Sequence, residues 1–478
     1  TQGLTYTGFV DVVSLGTPLL SRMPVGLDTG SPAGVTRLRG AARAQGTATL
    51  IWGSYYRQGD SLYFQGHVTD GRNGEELATI DPVSGAVDAP LRAMERLRDQ
   101  VMTTLATLTD PRLAKWSRYA SKPPTFQAYQ EFVEGVELHV RDMKFREAVP
   151  HFLRAAALDS NFTMPLLWAI MASGSWNPGL RDSLIQTLDR RREQLAPLDR
   201  QFLNYLSADG RRDVAGALQA ARGMVEIAPG SDYLKNAGST ALYANRPREA
   251  LQFLTAADPE SGWLRGWLPY WGSLTAAHHL LGQHRKELEA ARRGRQLHPG
   301  RPQIVYFEMR ALAALGRLEE VNARVDEGLS LIPYFLMLTA PEELRAHGHR
   351  AAASQAAERA IRWYQDWSPE GATLRWIRAV KLARALAFVG RLDEARAILE
   401  AMEAPDVVTL VDRGVIAARQ GDRTEASRIS RLLEQRGGES PIYWDGTPGV
   451  PGVHAWHYTF GLAQIAAALG QSERAVAL

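Results

Sequence analysis

The 478 residues are 45% hydrophobic and 22% charged, with a formal net charge of +3; this is the balance of a globular chain, too long for one compact core. Cysteine is absent, which excludes disulfides, thiolate metal sites and thiol nucleophiles. Six of the 55 basic residues are Lys, but 52 acidic residues are interspersed with the Arg, so no nucleic-acid surface is expected, and no apolar run approaches the roughly 18 residues of a membrane span.

Residues 1–112 read as a small α/β domain. Phe9 to Ser14 has the alternation of a short strand, and Pro32 to Gln45 the pattern of a helix stopped by Gly46. Thr47 to Arg57 and Ser61 to Thr69 are rich in Thr, Tyr, Phe, Val and Ile. They flank Gln58-Gly59-Asp60, where Gly59 supplies the positive φ of a hairpin turn. Glu75 to Ile80 adds a third strand. Leu91, Met94, Leu97, Val101, Leu105 and Leu108 then form one helical stripe that Asp110-Pro111 ends. The first strand of this layer is expected upstream of Thr1.

Gly46-Thr-Ala, Gly53-Ser-Tyr-Tyr-Arg57-Gln-Gly-Asp60 and Thr69-Asp-Gly-Arg-Asn-Gly74 resemble the amino-terminal α/β domain of the TolB and FlgO proteins. In bacteria that domain is often fused to tetratricopeptide repeats and attached to a serine/threonine kinase, an adenylate cyclase or a transcription regulator. Pro123 to Gly135 reads as the entry to such repeats, so the chain is similar to the non-catalytic carboxy-terminal region of such a kinase. What the resemblance implies is a signalling context on the extracytoplasmic side of a bacterial inner membrane, with the cytoplasm as the alternative and a membrane anchor or kinase domain preceding Thr1. No kinase residue carries over: no Gly-rich phosphate loop with a strand Lys, no His-Arg-Asp and no Asp-Phe-Gly is present.

Residues 113–478 read as a degenerate solenoid. Leu281-Gly282 recurs as Leu315-Gly316, Gly294 as Gly328 and Pro299 as Pro333, a spacing of 34 residues. That is the tetratricopeptide period, in which a two-helix unit buries its apolar face only against a neighbour. Gly135 with Ala148, and Gly238 with Ala250, mark earlier units; Gly348 with Ala353, Gly390 with Ala395, Gly421 with Ala426 and Gly470 with Ala475 mark later ones. These signals give about eight or nine helix pairs, interrupted at 258–271 and at 439–453 by clustered Pro and Gly. The fold class expected is mainly α: a right-handed helical solenoid after a small α/β domain.

Trp263, Trp267 and Trp271 gather aromatic area in the first interruption, either to anchor a partner or to plug the gap between repeats; the second reading is preferred. Arg292, Arg293 and Arg295 form a basic run that reads either as a solvated helix face or as a clamp for an acidic peptide. His278-His279, His347-Gly-His349 and His454-Ala-Trp-His457 read as residues of helix starts and turns. No metal site, no cofactor and no catalytic residue is expected from motif or spacing. The sequence therefore points to a non-catalytic scaffold that binds a protein or peptide on the concave face of its solenoid. The alternatives are a small-ligand sensor region of a membrane kinase and a structural subunit of a larger assembly.

Overall fold

The structure, a computed structural model, describes Thr36, Gly40 and residues 48–109, 124–174, 176–331, 334, 336–402, 406–436 and 456–477. The strand expected at Phe9 to Ser14, most of the helix expected at Pro32 to Gln45, Pro333 and the loop from Glu439 to Val453 lie outside these residues. The chain divides into two compact units, one of residues 1–237 with 257–265, the other of 238–256 with 266–478.

In the first unit, β1 (Thr49–Gln58), β2 (Ser61–Asp70) and β3 (Glu76–Ala86) form an antiparallel meander in the order β1-β2-β3. Register is set at the predicted turn, where Gln58 faces Ser61 and Gly59 has φ +61°. One sheet face carries Val68 and Ile80, which pack against Leu105 of α1 (Leu91–Thr109), with Leu97 and Val101 beside them. The stripe expected on this helix needs correction. Leu91, Met94 and Leu108 are exposed, whereas Ala93, Met102, Leu105 and Ala106 are buried. The backbone approach explains the shift: a Cβ on Gly85 would lie 2.7 Å from that of Ala93, so the sheet meets the helix at its smallest residue.

Helix pairs follow. The first unit holds α2 (Phe126–Val140) with α3 (Phe145–Leu158), α4 (Met164–Ser173) with α5 (Pro178–Asp189), and α6 (Pro197–Gly210) with α7 (Val214–Ile227). The helix α8 (Tyr233–Tyr243) begins in the first unit and ends in the second, where α9 (Pro247–Ala256) follows it. The second unit continues with α10 (Leu268–Leu280) and α11 (His284–Leu297), α12 (Pro302–Ala314) and α13 (Leu318–Leu331), α14 (Leu336–Ala346) and α15 (Arg350–Asp366), α16 (Ala372–Phe388) and α17 (Leu392–Glu400), α18 (Val407–Arg419) and α19 (Arg423–Arg436), and α20 (Trp456–Ala468) with α21 (Ser472–Ala477). The fold is thus mainly α, a tetratricopeptide-type stack of helix pairs after a small sheet layer. Its first helices α10, α12 and α14 start 34 residues apart, at Leu268, Pro302 and Leu336. Where the turn signals mark eight or nine pairs, ten occur among the described residues. The unmarked pair is α4 with α5, whose second helix starts instead from an Asn177 side chain that accepts from the Leu180 N–H at 3.1 Å.

Two local devices build the pairs. Ala148, Ala250, Ala353, Ala395 and Ala426, near the starts of second helices, are at most 1% exposed, because the preceding helix leaves room for a methyl group only. At the turn itself, the Gly316 N–H donates to the Ala313 carbonyl (3.1 Å) and the Arg317 N–H to the Leu312 carbonyl (3.0 Å), a Schellman closure with Gly316 at φ +70°. The turn between α6 and α7 is closed by the same two bonds, Arg212 to Asp209 and Asp213 to Ala208, with Arg212 at φ +61°. A turn read by its glycine is therefore silent here.

The first unit packs Phe132, Phe152, Phe162 and Trp168 around the buried His139, whose ring lies edge-on to Phe145 at 4.7 Å and to Trp168 at 5.3 Å. Gly135 admits the Phe152 ring, to which a Cβ would come within 2.6 Å. Burial, with a smaller contribution from the Lys235 charge, pushes the His139 imidazole down to about 3.

Two predictions follow from these packing features. Replacing Arg212 by Gly relieves the left-handed strain at some cost in unfolded-chain entropy. It should raise stability by a net ~0.5–1 kcal/mol, read as a higher urea midpoint; an unchanged or lower midpoint would refute the strain. His139 has a folded-state value depressed below 6.5, so between 6.5 and about 3 the unfolded chain binds the extra proton and stability falls as pH falls. His139→Leu should remove this loss, gaining on the natural protein by about 1.4 kcal/mol per pH unit below 6.5. Parallel stability–pH curves for the two proteins would contradict it.

Candidate functional site

Within the second unit the two helices of a pair differ in how they are covered. α12 buries ten of its thirteen residues, among them Ile304, Val305, Phe307, Met309 and Leu312, while α11 buries Glu287, Leu288, Ala290, Ala291 and Gly294. A helix with neighbours on both sides loses its polar face, whereas an outer one stays amphipathic. Successive first helices also approach one another more closely than successive second helices do, so α10, α12, α14, α16, α18 and α20 form the inner layer of this unit.

A cleft of about 660 Å³ opens on that layer, and every residue lining it belongs to α14, α16, α18 or α20. Val408, Val411 and Val415, one turn apart on α18, form its apolar wall with Phe388. Three guanidinium groups face it. Arg384 is spent on Asp412, its Nε lying 2.8 and 3.0 Å from the two carboxylate oxygens. Arg419 donates to the Ala387 carbonyl at 2.7 Å, and Arg345 lies over the Phe388 ring with its guanidinium carbon 3.7 Å from the centroid. Among the described residues neither Arg345 nor Arg419 is bridged to a carboxylate.

The acids of the cleft feel its walls. Burial pushes the Asp412 carboxyl up, against the pull of Arg384. Glu342 reaches solvent, yet protein on several sides displaces its water, and this too raises it despite Lys381, Arg384 and Arg345. An apolar wall beside two cations without anionic partners suits a segment that carries a carboxylate next to aliphatic side chains.

The residues singled out in the sequence lie elsewhere. Trp267 and Trp271 are buried, and Trp263 is half-buried with its ring edge-on to Trp168 at 5.6 Å. The backbone N–H of Trp263 donates to Asp232 at 2.9 Å, through a short 3-10 turn at Gly262–Leu264. Pro269 opens α10, so the segment expected to be irregular to 271 is helical from Leu268. Arg292 pairs with Glu308 and Glu320 (3.3 and 3.2 Å), and Arg295 with Glu308 and Glu327 (2.7 and 2.8 Å). These two cations are engaged between α11, α12 and α13, and Arg293 lies 6.0 Å from the Trp271 ring.

The histidines divide. His278 bonds Gln283 at 2.9 Å and His349 packs against Gly316, while His279 and His347 come together with His284. His454, and the side chain of His457, lie outside the described residues. The sequence carried no signal for the meeting of His279, His284 and His347, because 63 residues separate His284 from His347. The groove residues Arg345, Arg384, Phe388 and Arg419 were missed as well; their only trace is one Arg on each successive first helix.

No family model matches the chain, and no curated protein does. Among solved structures it is similar to yeast Tom70, at 11% identity over 82% of this chain and 89% of that one, with a TM-score of 0.36. A tetratricopeptide repeat protein from Parabacteroides merdae ATCC 43184 is 16% identical over 50% and 93% of the two chains (TM-score 0.33), and the MamA protein 13% identical over 37% and 98% (TM-score 0.30). At these scores the likenesses carry no argument, and the architecture rests on the helix pairs themselves.

Arg384→Ala should destabilise the second unit by about 1–3 kcal/mol, because it strands the Asp412 carboxylate in the wall, whereas Arg384→Met with Asp412→Leu should recover most of that loss. Denaturant unfolding of the three proteins tests the pair; equal losses in single and double variants would show that it does not anchor the wall.

Proposed function

We propose that this protein is a non-catalytic scaffold that binds a protein or peptide segment on the inner layer of its second unit. The observation that carries the reading is the cleft: four successive first helices contribute to it, with an aliphatic wall on one helix and the unbridged Arg345 and Arg419 beside it. The site is assembled by side chains on rigid helices, so little ordering cost attends binding. An occupant in extended or helical form would place a carboxylate against the two guanidinium groups and apolar side chains against Val408, Val411 and Val415. The finer assignment, to the sensing region of a membrane serine/threonine kinase, is supported by the Gly46–Gly74 pattern alone.

A fluorescence-polarisation screen of twelve-residue peptides graded in acidic and aliphatic content tests the reading. Binding is expected for peptides that combine both, to fall at least about tenfold in Arg345→Glu and Arg419→Glu, a loss of roughly 1.4 kcal/mol or more, and to survive in Arg293→Glu. Binding that ignores both groove substitutions, or no binding by any peptide, would refute the site.

A further inference from the structure

At the turn end of the inner layer, three imidazoles and two carboxylates from separate helix pairs converge. His279 closes α10, His284 opens α11, Glu287 lies one turn further along α11, Glu343 is on α14 and His347 follows α14 in its turn. The rings pack against one another, His279 with His284 at 5.1 Å, His279 with His347 at 5.3 Å and His284 with His347 at 4.8 Å between centroids.

Glu287 organises the group. Its side chain is fully buried, and its Oε1 accepts from Arg310 Nε at 2.7 Å. Its Oε2 stands 2.9 Å from His279 Nδ1 and 3.1 Å from His284 Nδ1. A carboxylate held by a guanidinium only accepts, so both imidazoles carry their proton on Nδ1 and present the lone pair of Nε2. His279 Nε2 is thereby turned towards Glu343 Oε2, 3.7 Å away, and His347 Nε2 approaches the same oxygen at 3.8 Å. Both spacings are too long for a hydrogen bond, and His347 Nε2 is buried without a hydrogen-bond partner. Leaving such a nitrogen unmet costs about 1–3 kcal/mol.

Ligand atoms about 2.0–2.1 Å from a tetrahedral ion lie roughly 3.4 Å apart. The spacings of 3.7 and 3.8 Å are close to this, and all three donor atoms of His279, Glu343 and His347 lie within 4.8 Å of one another. An ion there would meet two neutral imidazole nitrogens and one carboxylate, with Glu287 fixing the His279 ring from behind. Metal-binding histidines commonly take this support from a carboxylate.

We propose that His279, Glu343 and His347 bind a divalent transition metal of the zinc class, that Glu287 and Arg310 position His279 for it, and that the ion ties the turn after α14 to the end of α10. Nitrogen and carboxylate donors without thiolates favour zinc, cobalt or nickel over calcium or magnesium. His284, held by the same Glu287 oxygen and 4.8 Å from the His347 ring, is the nearest further imidazole. The proposal is independent of the peptide cleft, which uses none of these side chains.

The test uses the whole chain, stripped with chelator and then titrated with Zn²⁺ by calorimetry and with Co²⁺ by visible absorption. One equivalent should bind, with the intense d–d bands of four-coordinate cobalt, and Zn²⁺ should raise the thermal midpoint. His347→Ala and Glu343→Gln should abolish the stoichiometric site, Glu287→Gln should weaken it about 10–100-fold, and His298→Ala should leave it intact. Circular dichroism accompanies each variant, and if His347→Ala loses helix, the near-isosteric Glu343→Gln decides. No stoichiometric binding by the natural protein, or undiminished binding by a folded Glu343→Gln variant, would overturn the proposal.

Discussion

The structure depends on one constraint: a hairpin of two short helices cannot cover its own apolar surface. Most helices here run 9–17 residues, lengths that are marginal alone in water, so each hairpin is stable through the neighbour that covers it. The second unit shows the consequence in one continuous core, in which Met309, Leu312, Leu344, Tyr364, Leu386 and Leu399 join α12 through α17. A smaller core, with Leu410, Ile429 and Ile465, carries the stack through α18, α19 and α20. Close backbone approach makes this possible. It is visible at Gly328, where a Cβ would fall 2.4 Å from Leu336, and a larger residue would hold the two helices apart.

The same constraint places function on the inner layer. First helices are pressed between neighbours and lose their polar faces, yet at the cleft α14, α16 and α18 each keep charged residues: Glu342 and Arg345, Arg384, Asp412 and Arg419. Polar groups in such a position carry a desolvation cost that an apolar residue would not. Part of that cost is offset internally, by the Arg384–Asp412 bridge and by Arg419 on the Ala387 carbonyl. What is left unbridged faces the cleft.

The His279, His284, His347 and Glu287 assembly follows a related rule at the turns. Side chains from three loop-proximal positions meet because the pairs are stacked, and a buried carboxylate with a fixed guanidinium sets which imidazole nitrogen is available. Ion pairs elsewhere differ in kind. Arg292, Arg295 and Arg324 gather around Glu308, Glu320 and Glu327, so a basic run in the sequence becomes a nearly neutral brace between α11, α12 and α13.

By itself the sequence determined the local layers. The 34-residue recurrence of Gly282 and Gly316, the buried Ala at the starts of second helices and the Gly59 hairpin are consequences of backbone conformation and short-range sterics, which act within a few residues and so leave a readable pattern. The pair α4 with α5 and the turn at Arg212 escaped that pattern because an Asn cap and a non-glycine residue do the same work. Only the tertiary structure decided which face of α1 meets the sheet, that Trp267 and Trp271 are buried, that Arg292 and Arg295 have acidic partners, and that His279 meets His347. Each of these depends on residues about 13 to 68 positions apart, and the distance between such residues is set by how the pairs stack.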